Sequence, residues 1–479
     1  MREATVELNA ISYNAGISAC EKGEQWQHAL ALLSQMREAK VEPDVISYSA
    51  GVSACEKDGQ WQQALWLLWD MKAVNLEPSV ISFNAGISAC EKGLQWQHAL
   101  SLLREMRDAK VETSIVSYNS GISACEKGRQ WQHALLLISD MWEVKLEPDI
   151  ISCNAGISAC EKGAQWQKAL SLFSNMRDAK SEPEVMTYNG CISACEKGGQ
   201  WQRALSLLTE LRKDKLKPTV VSYNAAVSAC EKSGQWQRAL SVFDQLLSAS
   251  VEPSAISYNA GISACEKGRQ WQHAMSLLRQ IRVMKIEPHI TSYNAGISAC
   301  EKGKQWQLAL LLFSEAVDAR LERSVYSYSA AVLAYERGGR WRHALSLLRE
   351  MLEVSVEPNT ISKPKEHINY NAGISACAKG GQWQRALSML REMREAKLEP
   401  DLMSYCAGVG ACERGGQWQR ALALLGEMRG AGLEHNAISF NVGVSACEKS
   451  NCPGAGGSLL RWPSQGDPLR GAICASAAG

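Results

Sequence analysis

The stretch from Ile11 to Asp44 reads ISYNAGISACEKGEQWQHALALLSQMREAKVEPD, and almost all of the chain repeats it with small changes. Its tryptophan recurs every 35 residues from Trp26 to Trp341, then after 42 residues at Trp383 and after 35 at Trp418. Self-similarity at such a period is the signature of a solenoid. The sequence therefore predicts one stack of repeats rather than separate globular domains.

The repeats can be delimited by starting each one residue before the ISYN motif, as in 10–44. Ten repeats then fill 10–359 and two more fill 367–436, with an insertion at 360–366 between them. Residues 1–9 match the end of a repeat, so we expect the N-terminus to be incomplete. A partial repeat covers 437–450, and the tail at 451–479, rich in Gly, Ser, Pro and Ala, is expected to be disordered or an artefact of the gene model.

The first half of each repeat predicts a helix over about 13–22. Its apolar stripe follows i, i+4 and i+7 and consists of Tyr13, Ile17 and Cys20. Ser12 is the predicted N-cap, and Gly23 is predicted to end the helix in the left-handed conformation. A second, polar stripe on this helix is formed by Asn14, Ser18 and Lys22.

The second half predicts a helix over about 25–39, with one apolar face made of Trp26, Ala29, Leu30, Leu33 and Met36. Pro43 blocks further helix and begins the next turn. A single helical hairpin cannot bury both apolar stripes, whereas stacked neighbours can. The fold class predicted is therefore all-α, an α-solenoid of stacked helical hairpins.

Composition excludes several classes of protein. The net charge is +1, which gives no global attraction to nucleic acid or anionic lipid, and no apolar run approaches the roughly 20 residues that span a bilayer. Twelve of the 17 cysteines share one repeat position, too far apart for disulfides, and are expected to be small buried hydrophobes in a reducing compartment. Without a CxxC pair there is no zinc-ribbon signature, and we expect neither a metal nor a cofactor.

A cation recurs at the thirteenth position of every repeat, and if the repeats stack in register these side chains would form a continuous basic ribbon. The alternative is an ordinary solvated helix face. The cations are Lys22, Lys57, Lys92, Lys127, Lys162, Lys197, Lys232, Lys267, Lys302, Arg337, Lys379 and Arg414.

The last position of each repeat varies but is never apolar, which favours a modular reader of a polar polymer. The residues there are Asp44, Ser79, Ser114, Asp149, Glu184, Thr219, Ser254, His289, Ser324, Asn359, Asp401 and Asn436.

The repeat resembles the pentatricopeptide repeat: it has 35 residues, with Asn at the fifth position, Lys at the thirteenth, Ala-Leu at the twentieth and twenty-first and Pro at the thirty-fourth. The resemblance implies a right-handed superhelix that binds single-stranded RNA, one repeat per base. It implies that the fifth and last residues read the base edge and that the thirteenth-position cations contact phosphate. Bases would lie between second-position side chains, such as Ile11, Ile46, Ile81 and Val116.

Carried over pair by pair, the resemblance implies three uracil readers: Asn14/Asp44, Asn119/Asp149 and Asn371/Asp401. It implies cytosine readers at Asn84/Ser114, Asn224/Ser254 and Asn294/Ser324, a weaker pyrimidine reader at Asn189/Thr219 and an adenine reader at Ser329/Asn359. The bases of four pairs stay open: Ser49/Ser79, Asn154/Glu184, Asn259/His289 and Cys406/Asn436. The implied target is pyrimidine-rich, roughly U-?-C-U-?-Y-C-?-C-A-U-?, with the register in doubt at 360–366.

The resemblance also implies an organelle, chloroplast or mitochondrion, where the protein would stabilise RNA or assist its processing, splicing or translation, with other RNA-processing proteins as further partners. A protein-binding scaffold of the tetratricopeptide type is the alternative, but its period is 34 and its W-x2-L-G-x2-Y pattern is absent. Catalysis is not expected, because the HxE…CxxC signature of the zinc deaminases is missing, as are other catalytic motifs.

Overall fold

A computed structural model describes residues 9–179, 181–249, 251–319, 325–354, 363–433 and 445. Within these ranges the chain forms 24 α-helices and no strand, and the repeats are helical hairpins. The first helices of the repeats are α1 (Ala10–Lys22), α3 (Val45–Lys57), α5 (Val80–Lys92), α7 (Ile115–Lys127), α9 (Ile150–Lys162), α11 (Val185–Lys197), α13 (Val220–Lys232), α15 (Ala255–Lys267), α17 (Ile290–Lys302), α19 (Val325–Arg337), α21 (Lys363–Lys379) and α23 (Leu402–Arg414).

The second helices are α2 (Trp26–Glu38), α4 (Trp61–Ala73), α6 (Trp96–Asp108), α8 (Trp131–Glu143), α10 (Trp166–Asp178), α12 (Trp201–Lys213), α14 (Trp236–Ser248), α16 (Trp271–Val283), α18 (Trp306–Asp318), α20 (Trp341–Val354), α22 (Trp383–Glu395) and α24 (Trp418–Gly430). The chain divides into two compact units, Met1–Pro253 and Ser254–Gly479. Within each unit, first helices pack against the first helices of neighbouring repeats, and each second helix packs against the first helix of its own repeat and of the next. This is the all-α solenoid that the sequence predicts.

Most residues of the two predicted apolar stripes are buried, whereas Trp26 and Leu30 of the second stripe are half-buried. In the first repeat Tyr13 and Ile17 of α1 are buried, as are Ala29, Leu33 and Met36 of α2. The recurring cysteines are free thiols and are buried in most described repeats, although Cys20, in the first repeat, is half-buried. Burial raises the pKa of the thiols, for example to about 11 at Cys55 and about 12 at Cys90. The prediction of small, buried, unpaired cysteines is confirmed for these residues.

The predicted start of the first helix is wrong. α1 begins at Ala10, and its N-cap is Asn9, whose Oδ1 accepts a hydrogen bond from the Ser12 backbone N–H at 3.0 Å. Ser12 is therefore the third residue of the helix. In later repeats the N-cap residue and the third helical residue form a capping box, as Ser79 and Ser82 do. Both positions therefore carry a polar residue that fits the sequence signature of an N-cap.

The left-handed conformation predicted for Gly23 is also wrong. Gly23 has φ −86°, and the following residue, Glu24, takes the left-handed conformation with φ +54°. In later repeats the equivalent glycine packs closely against a tryptophan: a Cβ on Gly128 would lie 2.5 Å from Cδ1 of Trp96, which belongs to the preceding repeat. The glycine thus makes room for the recurring tryptophan.

The second helix matches its prediction to within one residue at each end, since α2 runs from Trp26 to Glu38. The insertion at 360–366 partly joins α21, which begins at Lys363 and has 17 residues where most of the other first helices have 13. The expectations for 1–8, for the tail and for nearly all of 437–450 lie outside the described residues. In the part of the chain that is described, no helix is long and apolar enough to span a membrane.

Candidate nucleic-acid interface

Positions two, five, nine and thirteen of a repeat lie on one face of its first helix, because they are separated by three or four residues. In nine of the twelve repeats the second position on this face carries a large apolar side chain that is exposed. The exposed fraction ranges from 56% at Val221 to 77% at Ile11, and the same holds for Ile46, Ile81, Val116, Ile151, Met186, Ile256 and Met403. A row of exposed aliphatic groups within each unit is typical of a surface that is covered when a ligand binds.

The fifth residue contacts the last residue of the same repeat in most described repeats. The Asn14 amide nitrogen lies 3.2 Å from Oδ1 of Asp44, and Asn119 and Asp149 are joined at 3.2 Å. The other pairs brought together are Asn371/Asp401 at 3.1 Å, Asn189/Thr219 at 3.3 Å, Ser49/Ser79 at 3.4 Å and Asn84/Ser114 at 3.5 Å.

A third residue, which the sequence analysis missed, fixes the orientation of the fifth-position amide. The Ser47 hydroxyl lies 2.5 Å from Asn14 Oδ1 and 2.8 Å from Asp44 Oδ1. A hydroxyl has one proton to donate, and the shorter contact is to the amide carbonyl. The same contact is made by Ser117 to Asn84 at 2.6 Å, Thr187 to Asn154 at 2.7 Å, Ser222 to Asn189 at 2.5 Å, Ser327 to Asn294 at 2.7 Å and Ser404 to Asn371 at 2.5 Å. The signal in the sequence was the recurrence of Ser or Thr at the third position.

Wherever the last residue of a repeat is described, it is the N-cap of the first helix of the next repeat. Asp44, for example, accepts a hydrogen bond from the Ser47 backbone N–H at 2.8 Å. N-cap positions favour Ser, Thr, Asp and Asn, so the absence of apolar residues there follows from capping and is not by itself a sign of base reading. Because these residues cap a helix about equally well, capping does not decide which of them occupies a given repeat.

The three aspartates at this position are held in the ionised form. Burial alone would raise the pKa of the Asp44 carboxyl, but hydrogen bonds from the Ser47 backbone, the Ser47 hydroxyl and the Asn14 amide hold that pKa below its usual range. The same balance lowers the pKa of Asp149 and of Asp401. Each carboxylate is therefore a hydrogen-bond acceptor at neutral pH.

The remaining predicted pairs differ from the six pairs in contact in the partner of the fifth residue, in the unit to which each residue belongs or in whether both residues are described. Asn259 donates to Thr291 at 3.1 Å rather than to His289, which caps α17. Asn224 lies on α13 in one compact unit and Ser254 caps α15 in the other. Of the others, Glu184 is the N-cap of α11, Asn294 lies on α17, Ser329 on α19 and the half-buried Cys406 on α23, whereas Ser324, Asn359 and Asn436 are outside the described residues.

The thirteenth-position cations do not form an uninterrupted basic ribbon, because acids pair with most of them. Lys127, at the end of α7, pairs with Glu91 of the preceding repeat at 3.0 Å. We call these pairs the Glu–Lys ladder; their N···O distances are 2.8–3.1 Å. They are Lys92–Glu56, Lys127–Glu91, Lys162–Glu126, Lys197–Glu161 and Lys232–Glu196 in the first unit, and Lys302–Glu266, Arg337–Glu301 and Lys379–Glu336 in the second.

The twelfth-position glutamates of the ladder were also missed by the sequence analysis, although each directly precedes a predicted cation. The cations Lys22, Lys57, Lys267 and Arg414 end their first helices at the same position. Contact of all these cations with phosphate stays a prediction. No cluster of His, Cys, Asp or Glu among the described residues could hold a metal ion.

Comparison with known proteins identifies the family. Family models match at 101–163 and 171–233 (pentatricopeptide repeat domain), at 8–57 and 218–267 (PPR repeat family), and at 81–111, 326–356, 368–398 and 404–433 (PPR repeat). Together these spans cover more than half of the chain. No curated protein matches the sequence.

Solved structures of the same fold include the pentatricopeptide repeat protein PPR10 from maize. It is 20% identical, with a TM-score of 0.54, over 96% of this chain and 74% of that chain. PPR10 in complex with an 18-nt psaJ RNA element matches with 19% identity and a TM-score of 0.52, over 96% of this chain and 75% of that one. At this identity the likeness concerns the fold. With the family models matching along the chain, the protein belongs to the pentatricopeptide repeat family.

Proposed function

We propose that the protein binds single-stranded RNA in a sequence-dependent way, with one repeat for each base. The observation that carries the proposal is the recurring contact between the fifth and last residues, beside an exposed aliphatic residue at the second position. A base inserted between two such aliphatic side chains would turn its edge toward the hydrogen-bonding pair. PPR10, a protein of the same fold, was crystallised with an 18-nt RNA element, which supports RNA as the partner.

The hydrogen-bonding groups left free in each pair favour particular bases. At Asn119, the carbonyl is engaged by Ser152 and one amide N–H by Asp149, so one N–H remains as a donor. Asp149 Oδ2 also lies 3.2 Å from the Asn119 amide nitrogen and keeps a lone pair available as an acceptor. One donor beside one acceptor complements the carbonyl oxygen and N3–H of uracil.

A serine at the last position changes this complementarity. The Ser114 hydroxyl beside Asn84 can donate as well as accept, which suits the unprotonated N3 of cytosine. Asn189 with Thr219 offers the same groups. These pairs support pyrimidine-reading repeats. With the bases that the family resemblance implies for the other repeats, we propose a pyrimidine-rich target in the register U-?-C-U-?-Y-C-?-C-A-U-?.

The contribution of each repeat is small and the sum is large. Base stacking is worth about 1–3 kcal/mol on aromatic platforms, and aliphatic side chains should give less. Binding would hold the strand unstructured and block nucleases without any catalytic step. From the family resemblance we propose that it acts in the stabilisation, processing, splicing or translation of a chloroplast or mitochondrial transcript.

Unbiased selection from a random single-stranded RNA pool tests this function. We expect the full chain to enrich pyrimidine-rich sequences that contain the register given above. Enrichment of double-stranded or purine-rich RNA would contradict the register. If no RNA is retained at low salt, the chain is better regarded as a protein-binding scaffold of helical repeats.

A further inference from the structure

Most of the cations that face the proposed RNA path are already paired with an acid of the protein. In the Glu–Lys ladder, the Oε1 atom of each glutamate that pairs with a lysine accepts a hydrogen bond from it. In several repeats the same atom also accepts one from the ninth-position serine of the next repeat. Glu126, for example, lies 3.0 Å from Lys162 and 2.7 Å from Ser158. The same double contact is made by Glu56, Glu196, Glu266 and Glu336.

The two members of a ladder pair differ in exposure. The cation side chains are 35–51% exposed and the glutamate side chains 7–25%. An approaching phosphate therefore meets the ammonium group first, with a carboxylate fixed behind it. Because that carboxylate is tethered by the serine, it cannot easily turn away, and it reduces the attraction of the lysine for phosphate.

One step in the second unit lacks the acid. Ladder partners are 36 residues apart, except Lys379 and Glu336, which the insertion separates by 43. The residue 36 positions before Arg414 is Ala378 instead of glutamate. The ninth-position serine is also missing there, because Gly410 occupies that place on α23. The two substitutions together remove both the acid and its tether, and they leave Arg414 as a cation without the ladder acid.

We propose that the twelfth-position glutamates compete with the RNA phosphates for the thirteenth-position cations. Each glutamate holds its cation until a phosphate replaces it. Binding then depends on base contacts in register, and attraction to RNA of any sequence is kept low. This inference rests on the proposed RNA-binding function and names the residues that set its affinity and its dependence on salt.

The test measures affinity for a single-stranded RNA with the proposed register, its open positions filled with uridine, over a range of salt concentrations. The variant carries Glu91→Gln, Glu126→Gln and Glu161→Gln, which free Lys127, Lys162 and Lys197. We expect tighter binding at low salt. The log–log slope should be steeper by up to about 2, since each phosphate contact adds roughly 0.7 on single strands.

The matched control makes the same change in net charge on the second helices. There Glu105 pairs with Lys72, Asp140 with Arg107 at 3.1 Å and Glu210 with Arg177 at 3.3 Å. The control variant carries Glu105→Gln, Asp140→Asn and Glu210→Gln. We expect its slope to equal that of the unmodified chain. An equal gain in both variants would show a global charge effect and overturn the proposal.

The reverse change gives an independent test in the second unit. Ala378→Glu with Gly410→Ser rebuilds the missing acid and its tether, and a Cβ at Gly410 would meet nothing within 4 Å. This variant should bind more weakly and with a shallower salt slope. If the unmodified chain binds RNA and neither set of variants changes the slope, the competition is refuted while the RNA-binding function stands. If no variant binds RNA at any salt concentration, both are refuted.

Discussion

The fifth-position asparagine depends on a residue of the next repeat. In the fourth repeat the Asn119 side-chain amide donates to Asp149, and the Ser152 hydroxyl donates to the carbonyl oxygen of that same amide. Ser152 is fully buried, so it acts by holding the amide and does not face a ligand. Without this hydrogen bond the amide could rotate and present its carbonyl where its N–H should be.

We predict that Ser152→Ala lowers the discrimination between uracil and cytosine at the fourth-repeat base by several-fold, with little change at other bases. The expected cause is rotation of the Asn119 amide, and leaving its carbonyl unsatisfied should also cost about 1–3 kcal/mol of stability. Competition binding with RNAs that differ at one nucleotide would measure the discrimination. Ser152→Thr is the matched control, because Thr187 already makes this contact with Asn154 at 2.7 Å. Equal loss in both variants would contradict a role for the hydroxyl.

Side chains that act across repeats were the hardest to predict. The position of Asn119 and Asp149 followed from the family pattern, and the structure brings the two together. Ser152 and the ladder glutamates were missed because their partners lie 33 and 36 residues away in the chain, where local periodicity gives no signal. Their regular recurrence in the repeats was the only indication in the sequence.

At the scale of the helix, the N-caps couple the base-reading position to helix stability. Asp44 caps α3 and Ser79 caps α5, so equivalent helices differ in whether the cap can titrate. The pKa of Asp44 is lowered in the fold. The ionised Asp44 cap therefore contributes its full share to the stability of the fold above the ordinary aspartate pKa of about 3.9. This contribution is lost as the pH falls through the lowered pKa of Asp44.

We predict that the first turn of α3 loses protection from hydrogen exchange below about pH 4, relative to the first turn of α5. Hydrogen–deuterium exchange with mass spectrometry between pH 6 and pH 3, corrected for intrinsic exchange rates, would measure this. Asp44→Asn should abolish the difference, because asparagine caps a helix without titrating. A parallel loss in α3 and α5 would contradict the assignment of the effect to Asp44.

The two helices of each repeat could be predicted from periodicity, but their ends could not. The stripes through Ile17 and Leu33 are buried as predicted. The start was placed too late because Ser12 resembles an N-cap. The role of the glycine position was misassigned because the tryptophan that its later equivalents accommodate, such as Trp96 beside Gly128, comes from another repeat. Contacts between repeats, rather than local propensity, decide these details.

At the scale of the whole molecule, the repetition places equivalent side chains at equivalent intervals within each compact unit. The solenoid class followed directly from the 35-residue period, because no hairpin can bury its two stripes alone. The division near Ser254 could not be predicted, since the repeat there keeps its pattern. The central claim is that one pair of side chains in each repeat selects one base.

Exchange of a single pair tests that claim most directly. Asn119→Ser with Asp149→Asn copies the combination found at Ser329 and Asn359, and asparagine preserves the N-cap of α9. The measurement is selection from a random RNA pool by the full chain and by this variant. The account predicts that preference changes from uracil to adenine at one nucleotide and at no other. An unchanged preference at that nucleotide, or a change spread over many, would contradict it.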